Sequence, residues 1–178
     1  AVSTTSSGTS VSQVTAAASS SQNQSKYEAN VASVAGKMDN RVIAAYQQLG
    51  FKLVVDPSVN YSGYFDARSR SITMKQIDDS VYHELGHFLA FIAGNADKTA
   101  SFQSIFAAEK ANVTAFNKAY VTQNASEYFA ESVKDYILNN ASLKSSRPQT
   151  YAAVQNALNQ ITDAQIAKIQ KIYGAFWN

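Results

Sequence analysis

The chain has two histidines. They stand four residues apart, with a glutamate directly after the first: His83-Glu84-Leu85-Gly86-His87. On an α-helix, positions i and i+4 share a face, so both imidazoles can reach one metal ion. Glu84 is rotated to the side, where it can hold a water. This HExxH spacing is the arrangement of a zinc peptidase. The plainer alternative is a helix with two surface histidines.

A catalytic zinc takes three protein ligands and leaves a position open for water. The chain has no cysteine and no further histidine, so the third ligand must be an aspartate or a glutamate. Glu127 is the leading candidate. It follows His87 by forty residues, on a predicted helix of its own, as the third glutamate does in glutamate-type zinc peptidases. Glu131 lies one turn further on the same face. There it can accept the N–H of a ligating imidazole and fix its tautomer. The pair could also be a solvated acidic face. Yet the same helix carries Tyr128, Phe129, Val133, Tyr136 and Ile137. A helix so apolar is largely buried, and buried carboxylates need a partner such as a metal.

The elements that must position these residues are legible in outline. Ser25-Lys26-Tyr27-Glu28 has the form of a capping box. Behind it, Val31, Val34, Met38, Val42, Tyr46 and Leu49 recur at three- and four-residue spacing, which predicts one long amphipathic helix ended by Gly50. Phe51 to Val55 reads as a strand stopped by Asp56-Pro57. Tyr61 to Met74 reads as a hairpin with its turn at Asp66 to Arg70. Asp78 or Asp79 can cap the HExxH helix, Ser80 to about Ala93. A glycine inside that helix, Gly86, costs ~1 kcal/mol against alanine. The expected compensation is a close backbone approach of another element.

The rest reads as helical. Thr99 to Lys110 is one helix. Asn124-Ala125-Ser126-Glu127 opens another, to about Asn140, and Pro148 suits a first helical turn. Thr162 to Gln165 caps a last helix, with Ile166, Ile169 and Ile172 expected to face inward. Strands early and helices late give an α+β class. The expected architecture is zincin-like, with a small antiparallel or mixed sheet, a hairpin before the HExxH helix, and a mostly helical C-terminal half.

Composition narrows the function classes. The 178 residues suit one domain. The 15 basic and 13 acidic residues leave a formal charge of +2 with no basic run, which argues against a nucleic-acid partner. No apolar stretch approaches the ~18 residues of a membrane span. Residues 1–24 are almost only Ser, Thr, Ala, Gln, Val and Gly, and read as a disordered leader. Residues 25–178 form the expected catalytic domain. A Ser/Thr-rich leader suits an exported mature protein, so a secreted bacterial protein, monomeric, is expected.

The assembled motifs carry a resemblance. His83-Glu84-Leu85-Gly86-His87, then Tyr120, then Glu127-Tyr128-Phe129-Ala130-Glu131, resembles the anthrax lethal factor family of metallopeptidases. That family includes the toxin's catalytic domain and small secreted Pro-Pro endopeptidases. Its members show HExxH followed by an E-aromatic-F-A-E stretch, with a tyrosine seven residues before the first glutamate. The resemblance implies one Zn²⁺ per chain, held by His83, His87 and Glu127. It implies Glu84 as the general base that takes a proton from the attacking water and passes it to the leaving amine. It implies Tyr120 as a donor to the oxyanion of the tetrahedral intermediate.

A secreted zinc endopeptidase acting on extended segments of surface or host proteins is therefore expected, with proline-containing sites as the implied specificity. The Pro-Pro endopeptidases place a tryptophan beside the cleft, whereas the one tryptophan here is Trp177. Tyr61, Tyr64 and Phe65 are the candidates to serve instead. The alternative is a catalytically silent, lethal-factor-like binding domain that retains the fold. The intact Glu84 argues against it, since a silent domain has no need of a general base.

Overall fold

A computed structural model describes residues 25–177. Residues 1–24, expected to be a disordered leader, therefore lie outside the described residues. The chain runs β1 (Tyr27–Ala29), α1 (Val31–Val34), α2 (Asn40–Gln48), β2 (Lys52–Val55), β3 (Gly63–Asp66), β4 (Ser71–Met74) and α3 (Ser80–Ile92). It continues through α4 (Ala100–Glu109), α5 (Lys118–Val121), α6 (Ala125–Leu138), α7 (Asn140–Ser146), α8 (Pro148–Asn159) and α9 (Asp163–Trp177). The class is α+β, with the sheet early and helices through the C-terminal half.

The strands form one mixed sheet in the order β1-β2-β4-β3. β2 pairs parallel with β4, and the two edge strands pair antiparallel with their neighbours. β3 and β4 are the expected hairpin. Tyr46 ties the parallel pair from below: its hydroxyl donates to Lys52 O and accepts the Ile72 N–H at 3.1 Å.

The N-terminal segment departs from expectation. Ser25 to Glu28 caps no helix. Tyr27–Ala29 is instead an edge strand on β2, with Glu28 opposite Val54 and reaching diagonally to Lys52 at 3.1 Å. The long helix is broken in two. Asn30 caps the short α1 by accepting the Ser33 N–H, and Asp39 starts α2 by accepting the Arg41 N–H at 2.9 Å. The inward residues are still the periodic ones: Val31, Met38, Val42, Tyr46 and Leu49 are all buried. Periodicity marked the apolar face, but that face does not require a continuous helix. α2 does end at Gly50, with Gly50 N–H on Gln47 O and Phe51 N–H on Tyr46 O.

The core lies between the sheet and α3, whose residues from Val81 to Ile92 are buried apart from His87. Asp78, not Asp79, accepts the Ser80 N–H at the start of α3, at 3.0 Å. α6 crosses directly over α3, and α8 and α9 also pack against α3. In α9, Ile166 and Ile169 are buried, whereas Ile172 is 49% exposed. The inward face passes instead to Tyr173, seven residues after Ile166 and nearly in phase with it; its ring packs 4.9 Å from that of Phe91.

Candidate metal centre and cleft

The site is built by two helices that touch backbone to backbone. A Cβ on Gly86 would lie 2.6 Å from Ala130 O and 2.7 Å from Ala130 Cα. Only glycine permits this crossing. Gly86 sits between the two histidines on α3, and Ala130 sits between Glu127 and Glu131 on α6. The crossing therefore places the imidazole pair against the carboxylate pair. Asn124 starts α6 by accepting the Glu127 N–H at 2.8 Å. The Glu127 carboxylate does not complete a capping box; it turns toward the histidines.

His83 lies between both carboxylates. Its Nδ1 donates to Glu131 Oε2 at 2.7 Å, and its Nε2 lies 2.9 Å from Glu127 Oε2. His87 Nε2 is 3.4 Å from the same Glu127 oxygen. One donor atom from each of His83, His87 and Glu127 falls within 4.8 Å of the other two. Two imidazole nitrogens and one carboxylate oxygen are a donor set that suits Zn²⁺. Glu131 directs the remaining His83 nitrogen toward the centre.

Electrostatics follow from this packing. Burial disfavours the imidazolium form of His83, but the hydrogen bonds to Glu127 and Glu131 outweigh it and raise its pKa to about 9. Burial also opposes the charge on Glu127, yet the His83 and His87 hydrogen bonds hold it well below the usual carboxylate range. Glu131 is lowered as well, burial being outweighed by His83 and Lys134. Glu84 moves the other way. Burial raises it, and the charges of His83 and His87 offset this only in part. A buried carboxylate with a raised pKa beside a histidine pair is the profile of a proton-transfer group.

Two lobes of a cleft meet over Glu84. The wider, about 460 Å³, is lined by Tyr61, Ser80, His83, Asn117, Tyr120 and Lys134 among others. The narrower, about 160 Å³, is lined by Tyr64, Phe65, His87 and Glu127, with Gly63, Glu84 and Tyr120 shared by both. Tyr120 stands on α5 with its ring 6.5 Å from that of His83 and 54% exposed. Burial, then the charges of Glu127 and Glu84, raise its pKa and keep the phenol protonated.

The edge strand β3 forms the cleft wall opposite α6. Phe65 stacks on His87 at 6.5 Å, with the planes 13° apart. Tyr61 and Tyr64, 38% and 57% exposed, hold their rings 5.8 Å apart on the rim. Trp177 lies elsewhere. Its Nε1 donates to Ala67 O at 3.0 Å in the hairpin turn, and Arg70 lies over its ring at 5.2 Å.

The family model for anthrax toxin lethal factor, N- and C-terminal domain, matches residues 67–157, from the hairpin turn through α8. The chain belongs to the anthrax toxin lethal factor family. Within this lethal factor match fall His83, Glu84, His87, Tyr120, Glu127 and Glu131, while β3 and its aromatic rim lie before it. A Pro-Pro endopeptidase of Clostridioides difficile (strain 630) is 41% identical over 78 residues, which is 42% of this chain and 34% of that protein. The aligned stretch thus spans about a third of the relative's length.

Sequence reasoning named the two helices of the site but missed Gly63, Asn117 and Lys134. The signal for Gly63 was weak, because it is the first residue of β3 and the mark of close approach is a glycine in a strand interior.

Proposed function

We propose that the chain is a secreted zinc-dependent endopeptidase that hydrolyses extended peptide segments of surface or host proteins, with proline-containing sites preferred. One observation carries this reading: His83, His87 and Glu127 converge within 4.8 Å beside the buried Glu84, on the floor of a cleft walled by an edge strand. His83, His87 and Glu127 would hold one Zn²⁺, with Glu131 orienting His83. When bound, the ion supplies Lewis acidity that activates a water and polarises the scissile carbonyl.

The chain's own residues do the rest. Among the described residues the outer edge of β3 has no partner strand, so an extended substrate pairs there by main-chain hydrogen bonds. Glu84 takes the proton of the attacking water and passes it to the leaving amine. Tyr120, protonated and facing the centre, donates to the developing oxyanion. The exposed Tyr61 and Tyr64 rings offer the apolar platform on which proline packs. The proline preference draws further on the partial likeness to a protein named Pro-Pro endopeptidase.

A peptide-library digest read by mass spectrometry, with and without chelator, tests the whole reading. Internal cleavage, abolished by chelator and restored by Zn²⁺, is expected, with product ends enriched at proline. Release of single terminal residues would overturn the endopeptidase assignment. Indifference to proline would remove the specificity alone. No cleavage by a zinc-loaded chain would favour a silent binding domain of the same fold.

A further inference from the structure

Gly63 opens β3 and sits where the two lobes of the cleft meet. A Cβ built on it would lie 2.8 Å from Glu84 Cγ and 3.0 Å from Glu84 Oε1. On its other flank it would lie 3.0 Å from Met74 Sδ. Neither neighbour has an easy retreat. Met74 is fully buried in β4, and Glu84 is 7% exposed within α3. The strand is also held in place, since Gly63 pairs with Met74 in an antiparallel ladder that runs to Asp66–Ser71.

We infer that Gly63 is a positioning residue for Glu84: its bare Cα is the surface against which the general base is seated. This rests on the proposed peptidase reading and deepens it. The strand that receives the substrate then also sets the base, so one element fixes both the peptide backbone and the group that moves the proton. Adding a single methyl at position 63 presses first on Glu84 and Met74, which supply its three nearest atoms, and so displaces the carboxylate ahead of His83, His87 and Glu127.

The test is G63A in the zinc-loaded full chain, assayed on a peptide recovered from the library digest. A misplacement of about 1 Å at a reacting group costs roughly 10²-fold in rate. We expect kcat to fall by about ten- to a hundredfold, with KM and zinc occupancy near wild type. The decisive measurement is the double-mutant cycle with E84Q. If Gly63 acts through Glu84, G63A causes no further loss in the E84Q background. An equal loss in both backgrounds, a loss confined to KM, or a kcat within about twofold of wild type would overturn the inference. If G63A fails to fold, G63A/M74A is compared with M74A, which relieves the sulfur contact and keeps the one to Glu84. The same kcat loss is then expected, and its absence overturns the inference. An inactive wild-type protein would instead refute the peptidase reading, so the two failures are distinguishable.

Discussion

The Cα of Gly86 and the backbone of Ala130 meet so closely that a methyl group on Gly86 would fall 2.6 Å from the Ala130 carbonyl oxygen. The contact sits between the histidine pair of α3 and the carboxylate pair of α6. The spacing of the site is therefore set by a backbone contact as much as by the side chains that form it.

Gly86→Ala should destabilise the protein and weaken metal binding together. Helix propensity alone predicts the opposite, a gain of ~1 kcal/mol. The backbone clash should dominate, at about 1–3 kcal/mol or more, because no side chain can rotate away from it. In a domain of this size each kcal/mol is worth roughly 2–4 °C in Tm. Thermal melts and a zinc titration of the variant check this. An unchanged or raised Tm would show that the helices can separate at little cost.

Glu84→Gln should retain fold and zinc and lose nearly all turnover. Glu84 is not among the three converging donors, so its removal spares the centre. Loss of a general base costs ~10²–10⁴ in rate. Turnover within about threefold of wild type would sink the mechanism.

Tyr120→Phe should lower kcat with little change in KM. The hydroxyl is proposed to meet charge that exists only in the transition state. The expected penalty is about 2–4 kcal/mol, as for loss of one oxyanion donor. A variant that raised only KM would make Tyr120 a substrate-binding residue.

Glu131→Gln should weaken zinc binding by roughly 10–100-fold, the usual effect of removing a partner that orients a ligating histidine. The 2.7 Å contact to His83 Nδ1 is the basis. Competition with a chromophoric chelator measures it. Unchanged affinity would reduce Glu131 to a structural carboxylate.

The metal-free protein should lose stability as pH rises from about 6.5 to about 9. Against burial, the bonds to Glu127 and Glu131 raise the folded-state pKa of His83 from 6.5 to about 9. A raised pKa contributes stability that is complete below 6.5 and lost on passing through the folded value. Glu127 and Glu131, lowered from 4.5, contribute with the opposite sign, and their share is lost in acid. Melts in chelator across this range should show the decline. With Zn²⁺ replacing the proton on His83 the decline should flatten. A flat profile in chelator would mean that His83 is not held as imidazolium.

Local signals in the sequence determined the HExxH helix, the Glu127–Glu131 face, the hairpin and the caps at Asn124 and Thr162. Helical phase, turn chemistry and capping act within a few residues, so a single strand of sequence carries them. The tertiary structure decided what depends on distant partners. Tyr27–Ala29 became a strand because β2 offered it an open edge, although Ser25 to Glu28 spells a helix start. Ile172 turned outward because Tyr173 reached Phe91 in its place. Trp177 went to the hairpin turn because the Ala67 carbonyl and the Arg70 guanidinium wait there. The seat of Glu84 against Gly63 arises between elements with no local signal linking them, since it needs the sheet and α3 packed together before the missing methyl has any consequence.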